Sequence, residues 1–372
     1  LSAGVTGQQD GIGDYVHLAR YSISNDPYHT YNMGGSQYVD LITPQAYDPT
    51  VRWETTVTYN VGVDYGFFND RLSGSIDAYI RDTKDLLNSV QVPMGSNFGN
   101  KLMTNIGSIR NKGLEFSINA VPVQRPDLSV QLGFNGTFQN TIFTKLNPTE
   151  DENYYIETGN ISKGTGGYLC RQMVGYAPYT YYTYRQKYYP DGNPVQNEFV
   201  DLDGDGTITE NDRYMTGKSA APKFYYGLNM KVTWRNWDFG LNGHGAAGTW
   251  VFNDFASANS TASLDLNSGA LPNQARLVKK TGFTAPNSAQ QWYSDYFLEN
   301  ASFFRLDDIN LGYTFRGIGR WETDIRLALG MQNVFILTGY SGMDPEVISE
   351  NGIDNTVWPR PRTWSFRVNV NF

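Results

Sequence analysis

The sequence predicts an all-β fold, a transmembrane antiparallel β-barrel. Three observations predict it: segments of about ten residues in which apolar and polar side chains alternate, connections that switch between tight turns and long polar excursions, and no apolar run of the roughly 18 residues that a membrane-crossing helix needs. The 372 residues include 38 Gly, 26 Tyr, 20 Phe and 8 Trp, more glycine and aromatic than an ordinary enzyme domain carries. No linker, charge block or composition shift divides them, so residues 1–372 read as one architectural unit.

The chain begins with LSAGVTG, which reads as part of a strand and not as an export signal, so the sequence reads as a piece of a longer chain. In WETTVTYNVGVDYGF, Val57, Tyr59, Val61, Val63 and Tyr65 share one face, and Thr58, Asn60, Gly62 and Asp64 share the other. RLSGSIDAYIRD sets Leu72, Gly74, Ile76, Ala78 and Ile80 against Ser73, Ser75, Asp77, Tyr79 and Arg81, and the short FFNDR link makes the two a hairpin. GLEFSINAV and LSVQLGFNGTFQ follow the same rule, as do FYYGLNMKVTW, WDFGLNGHG, INLGYTF and DIRLALGMQNV. The closing WSFRVNVNF puts Trp364, Phe366, Val368, Val370 and Phe372 on one face. With the weaker GYAPYTYYTYRQKYY, the count is roughly eleven strands near the ~9–11 residues of a tilted membrane strand.

Tight turns follow Gly66, Val123, Trp234 and Phe315, and long excursions fill residues 7–50, 82–105, 140–170, 190–220, 249–300 and 338–360. Outer-membrane barrels show this asymmetry, with tight turns on the periplasmic side; a soluble sandwich has no reason for it. Thr, Ser, Asn, Gly, Asp, Arg and Gln hold nearly every second strand position, so the polar face suits a wide lumen and the apolar face must meet lipid. Trp53, Tyr65, Phe67, Trp234, Trp237, Trp321 and Trp364 would form the interfacial girdles. An unpaired edge in lipid leaves N–H and C=O groups at several kcal/mol each, so the last strand has to pair. Its terminal Phe372 also suits recognition by an outer-membrane assembly machine.

The net charge of −8 and pI of about 5.0 leave no basic footprint for a nucleic acid. Cys170, the one cysteine, excludes an intrachain disulfide framework and thiolate zinc clusters and reads as a buried thiol. DLDGDGTITEND, residues 201–212, matches calcium-loop spacing, with Asp201, Asp203 and Asp205 at positions one, three and five, Gly206 at the sharp turn, the Thr207 carbonyl, Thr209, and Asp212 at position twelve. Asp in place of Glu at the last position and the lack of flanking helices leave a metal-free polar turn as the competing reading. Of the histidines, His17, His29 and His244, none sits in a nucleophile motif; His244 falls on the lumen face as a pore-lining residue. KGTGG at 163–167 does not follow a strand and open a helix as a phosphate loop would, and reads as a flexible loop. Tyr179, Tyr181, Tyr182, Tyr184, Tyr188 and Tyr189, with Trp292 and Tyr293 of WYSDYF, bring rings to the long loops. They suit stacking on a sugar or contact with a peptide, or belong to the interfacial belt.

Ordered phrases along the chain, YDPTVRWETTVTYNVGVDYGFFNDRLSGSIDAYIRDTKDLL, NIGSIRNKGLEFSINA, DLDGDGTITENDRYMTGKSAAPKFYYGLNM, ASFFRLDDINLGYTF and QNVFILTGYSGMDPEV, together resemble the C-terminal part of SusC/RagA-type TonB-dependent transporters of Bacteroidota outer membranes. The resemblance covers essentially the whole chain. It implies the C-terminal half of a 22-stranded plugged barrel, with plug and N-terminal strands outside this chain, a SusD-like surface lipoprotein as lid, and energisation by TonB through the N-terminal region. The function it implies is import of oligosaccharides or oligopeptides, without catalysis. The rivals are a complete smaller barrel enzyme, protease or phospholipase, and a surface adhesion barrel. On the half-barrel reading the strand near Leu1 and the strand ending at Phe372 pair with segments other than each other; on the rival reading they close a small barrel together.

Overall fold

The computed structural model describes all residues except 25–30, 35, 39–40, 92–100, 147–153, 165–166, 262–272, 274, 285, 320–321, 348–350, 356–357 and 372. Its frame is one ten-stranded antiparallel sheet. The strands are β1 (Ser2–Gln8), β2 (Glu54–Phe67), β3 (Leu72–Lys84), β4 (Ser108–Arg125), β5 (Leu128–Lys145), β6 (Phe224–Trp234), β7 (Trp237–Ala247), β8 (Phe303–Ile318), β9 (Thr323–Thr338) and β10 (Thr363–Asn371). Each pairs with its neighbours in chain order. The eleventh segment expected, around Tyr179–Tyr189, is not in this sheet: Thr180–Tyr184 is buried at every residue and belongs to a smaller sheet among the connections. Its consecutive tyrosines carry no period-two pattern to place one face in lipid.

Because the side-chain period along a strand is two, pairing in register carries apolar residues onto apolar ones across the middle of the sheet. One row runs Ala120, Leu132, Met230, Leu241, Ile309, Met331, Trp364 across β4 to β10, each residue opposite the next. One position along, the row reads Asn119, Gly133, Asn229, Asn242, Asp308, Gln332, Thr363. The apolar face is bare of protein: Tyr59, Val61 and Val63 are 56%, 54% and 62% exposed. In water that exposure would be a liability; in lipid it is the solvated surface. The polar face satisfies itself laterally, through Ser75 Oγ with Ser117 Oγ at 3.0 Å, Asn242 with Asp308 at 2.9 Å, and Arg326 to Asp238 with two bonds at 2.8 and 2.5 Å.

Aromatic rings collect at both ends of the apolar face, as interfacial girdles do. At the tight-turn end Trp237 meets Tyr313 and Tyr313 meets Phe315, each at 4.7 Å between centroids. At the other end Phe138 stacks on Phe224 at 4.2 Å, and the series continues through Tyr226 and Phe304 to Phe335. Glycine makes the second series possible, since a Cβ on Gly136 would lie 2.7 Å from the Phe116 ring and one on Gly245 2.3 Å from Tyr226. Trp53 and Trp364 are exposed as expected, whereas Trp321 and Phe372 lie outside the described residues.

The tight turns fall where expected. In the β2–β3 turn Phe68, Asn69 and Asp70 hold φ of 58°, 56° and 61°. At the opposite end β4 and β5, 18 residues each, exceed the span expected of a membrane strand and lead into the long connections. The sheet is open: β1 pairs with β2 and β10 with β9, and neither edge meets the other. No helix among the described residues is long and apolar enough to cross a membrane; the crossing is made by strands.

The assignment of faces makes an asymmetric prediction. Val61→Arg, mid-strand on the apolar face, is expected to cost ~2–4 kcal/mol, whereas Asp64→Arg on the polar face stays within ~0.5 kcal/mol. Urea unfolding of the receptor in lipid vesicles separates the two.

Candidate functional site

The buried core of this chain lies in its long connections. Leu169, Cys170, Tyr181, Tyr184, Phe199, Phe252, Phe283, Phe297 and Ile353 pack into one cluster contributed by three separate connections, β5–β6, β7–β8 and β9–β10. Strands Tyr155–Thr158, Cys170–Met173, Thr180–Tyr184 and Arg213–Met215 form a four-stranded sheet through it, and Trp250–Asn253, Leu298–Asn300 and Ile353–Asp354 a three-stranded one. Buried Gln186 crosslinks the loops: its amide donates to Val195 O at 2.6 Å and Glu198 O at 3.0 Å, and its carbonyl accepts from Gln291 and Ser294.

This packing corrects the aromatic expectations. Tyr181 is wholly buried, donating to the carbonyls of Trp250 and Gly352 at 3.0 Å each, and Tyr182 and Tyr293 are buried too. Their rings are packed in the interior of the loop assembly. Trp292 packs against the same cluster, and Tyr179 does so while lining the cavity described below. Tyr188 and Tyr189 are the exposed members. Cys170 is buried, as expected, and burial pushes its thiol up and keeps it inert, against the pull of the Arg213 charge. In KGTGG, Gly164 and Gly167 lie against Tyr293, where a Cβ on either would run into its hydroxyl, while residues 165–166 lie outside the described residues.

In the acidic loop, carboxylate oxygens of Asp201, Asp203 and Asp205 lie within 4.8 Å of one another. Asp201 accepts from the Gly204 and Gly206 amides at 2.7 and 2.9 Å, and Asp205 from Thr207 at 2.7 Å. Gly206 holds φ +83°, the sharp turn its place in the motif calls for. Asp212 is differently employed: buried, it accepts from Leu202 N at 2.7 Å and Thr209 N at 2.8 Å and closes a capping box on the turn Glu210–Asp212. The Thr209 and Leu202 amides hold its carboxyl below the usual carboxylate range.

A cavity of about 450 Å³ opens where the loops meet the polar face of the sheet. Tyr225, His244, Ala246 and Phe303 form the wall, Pro178, Tyr179 and Pro222 one side, and Pro345, Glu346 and Val347 the roof. His244 is on the polar face as expected, but it is bonded on both sides: Nδ1 lies 2.6 Å from Asp307 and Nε2 3.0 Å from Glu346. Two carboxylates can be served together only when both ring nitrogens carry a proton. Asp307 reaches this position because the β8–β9 pairing slips between Leu306 and Asp308, a bulge that leaves two consecutive acids on one face. His17 is exposed in a turn, and His29 lies outside the described residues.

Beside His244, the Arg305 side chain, 3% exposed, donates to Asp344 at 2.6 Å, Glu346 at 2.7 Å and Asn333 at 2.8 Å. Arg360 adds a contact to Glu346 at 3.2 Å, and Asn333, held at φ 51°, donates to the Arg360 carbonyl. This network fastens the β9–β10 connection to the wall and went unseen in sequence. Burial pushes the Glu346 carboxyl up, but His244, Arg305 and Arg360 outweigh it and hold the group below its usual range.

Removing Arg305 leaves buried Asp344 with only the longer 3.7 Å ion pair to Arg360 and takes one of three cationic partners from half-buried Glu346, so Arg305→Ala is expected to cost ~3 kcal/mol, read as rapid proteolysis within 339–362 of the membrane-embedded receptor. The depressed Glu346 carboxyl stabilises the clamp above its ordinary pKa of 4.5, and this stabilisation is lost as pH falls below that value. Proteolysis of the wild type within the same segment should therefore accelerate below about pH 4.5.

The family model described as TonB dependent receptor-like, beta-barrel matches residues 18–334. The chain is 38% identical over 381 aligned positions to the TonB-dependent receptor SusC of Bacteroides thetaiotaomicron, covering all of this chain and 37% of that protein. TonB-dependent receptor P3 of Formosa agariphila is 29% identical, again over all of this chain and 39% of the relative. Among solved structures, the RagAB peptide importer in its closed-closed state superimposes with a TM-score of 0.76 at 22% identity, covering 99% of this chain and 40% of that one. The chain thus spans about two fifths of the length of the relatives it matches.

Proposed function

The chain belongs to the TonB-dependent receptor β-barrel family of the outer membrane, and from that premise we propose that it serves energised import of oligosaccharides or oligopeptides. The observation that carries the reading is the polar face itself. It is a wall of hydrogen-bonding side chains roofed by a packed loop assembly, the arrangement of a lumen with a selective mouth and not of a closed core. The long loops then face outward and the tight turns face the periplasm.

The two open edges support a larger barrel. Among the described residues β1 and β10 each pair on one side only, and an open edge in lipid is costly, which supports a reading in which further strands complete the wall, a plug fills it, and TonB acts through that plug. A SusD-like lipoprotein closes the loop end as lid. The enzyme rival needs a free base beside a nucleophile. His244 has both nitrogens committed to carboxylates, and β10 does not close on β1. Relatives named as receptors favour transport over catalysis.

Cells carrying the complete receptor are expected to accumulate labelled oligosaccharide or oligopeptide, and an uncoupler or loss of TonB should abolish the uptake. Accumulation that survives loss of TonB would overturn the reading.

Calcium remains part of the proposal. The all-oxygen donor set of Asp201, Asp203 and Asp205, with Thr207, suits a hard cation, and Asp212 braces the loop from beneath. Titration of the purified receptor with CaCl₂ is expected to give one saturable site that Asp203→Asn weakens at least ~10-fold; heat release unchanged by that substitution would refute it.

A further inference from the structure

The lipid-facing side of the sheet changes character at the loop end of β3 and β4. Unbroken pairing carries its rows upward: Ala78 lies opposite Leu114, Ile80 opposite Lys112, Asp82 opposite Arg110, and Lys84 opposite Ser108. Toward β5, Leu114 lies opposite Phe138 and Lys112 opposite Asn140. Lys84, Arg110 and Lys112 therefore stand on the same side as the apolar residues, beyond the aromatic belt that Phe116, Phe138 and Phe224 mark.

All three cations are exposed, in a chain whose net charge is −8. Arg110 donates to Asp82 from Nε at 2.7 Å and Nη2 at 3.1 Å, which fixes the guanidinium and leaves Nη1 free. Among the described residues Lys84 and Lys112 have no ion-pair partner, and the next acid along the chain, Asp85, is paired with Arg52. At ~3.3 Å per residue and a tilt of ~40°, Lys112 and Arg110 stand roughly 5 and 10 Å beyond the Phe138 row along the membrane normal, the level of the lipid headgroups. On β2, β7 and β9 the residues of this face at or beyond the belt, Thr55, Ala247 and Leu337, are uncharged. The cations are a local patch and not a ring around the rim.

The chemistry selects the occupant. A free phosphate has no use for the apolar rows below the patch and would meet only exposed, screened side chains. A zwitterionic headgroup brings its own cation, which the lysines repel. An anionic lipid uses both parts, since its chains lie on apolar surface and its phosphate meets charge at the height where the patch stands. The geometry points to a site for a phosphorylated, net-anionic lipid of the outer leaflet. Its acyl chains lie on Ala78, Leu114 and Phe138, its phosphate groups pair with Arg110 and Lys112, and Lys84 reaches back along its four-carbon stem to the same groups. Exposed Asn140 supplies a donor and an acceptor beside them. The inference depends on which face meets lipid, and not on cargo or on TonB.

The test is native mass spectrometry of the complete receptor, purified in dodecyl maltoside and titrated with diphosphoryl lipid A, with phosphatidylcholine and inorganic phosphate as the other arms. The diphosphoryl lipid is expected to bind saturably, and phosphatidylcholine at least ~10-fold more weakly. Combining Lys84→Gln, Arg110→Gln and Lys112→Gln should weaken the diphosphoryl lipid at least ~10-fold, and Lys112→Gln alone roughly three-fold. Arg235→Gln, which removes an exposed cation beside Trp234 at the tight-turn end, should leave binding unchanged. Binding indifferent to the triple substitution, an equal loss with Arg235→Gln, or phosphatidylcholine held as tightly overturns the site. Displacement of the lipid by millimolar inorganic phosphate overturns the lipid as its occupant.

Discussion

A backbone amide in hydrocarbon has no water to bond, and the organisation of this chain descends from that fact. Every N–H and C=O in the membrane layer must find another strand, so the polypeptide runs up and down in chain order, its pairing continuous between a few bulges. Register then fixes chemistry, because a slip of one residue would turn Leu241 and Ile309 toward the lumen and Asn242 and Asp308 toward lipid. The glycines under the Phe116 and Tyr226 rings belong to the same logic. They let neighbouring strands approach closely enough to bond while large rings lie across them.

With one face given to lipid and the other to the lumen, the sheet has no interior, and the apolar burial that stabilises a soluble domain moves to the loops. Phe252, Phe283, Phe297 and Tyr181 provide it. A roof of this kind is held as a globular protein is held. Its attachment to the wall is electrostatic, through Arg305 and His244 to Glu346 and Asp344. The desolvation of Arg305 is offset because three acceptors surround it.

The sheet was legible in sequence because alternation is a local signal that lipid leaves undisturbed: WETTVTYNVGVDYGF becomes β2 almost residue for residue. The acidic loop was legible because its three carboxylates, Asp201, Asp203 and Asp205, stand within five consecutive residues. The tyrosines were not, since the same run of rings serves a rim or a core, and only partners such as Gly352, 171 residues from Tyr181, decide which. Arg305 was invisible for a related reason: Asp344 and Glu346 stand 39 and 41 positions away, and the bulge that turns Asp307 toward His244 leaves no mark in composition.

Gln186 joins residues from the 180s to the 190s and the 290s, so the β5–β6 and β7–β8 connections are each incomplete without the other. Recombination that exchanges one loop with a relative would import half of a core and strand the other half. Sequence change in this loop assembly is therefore expected to proceed along two tracks. Point changes accumulate at rim positions such as Tyr188 and Tyr189, and wholesale replacement carries the loops together as one inherited block.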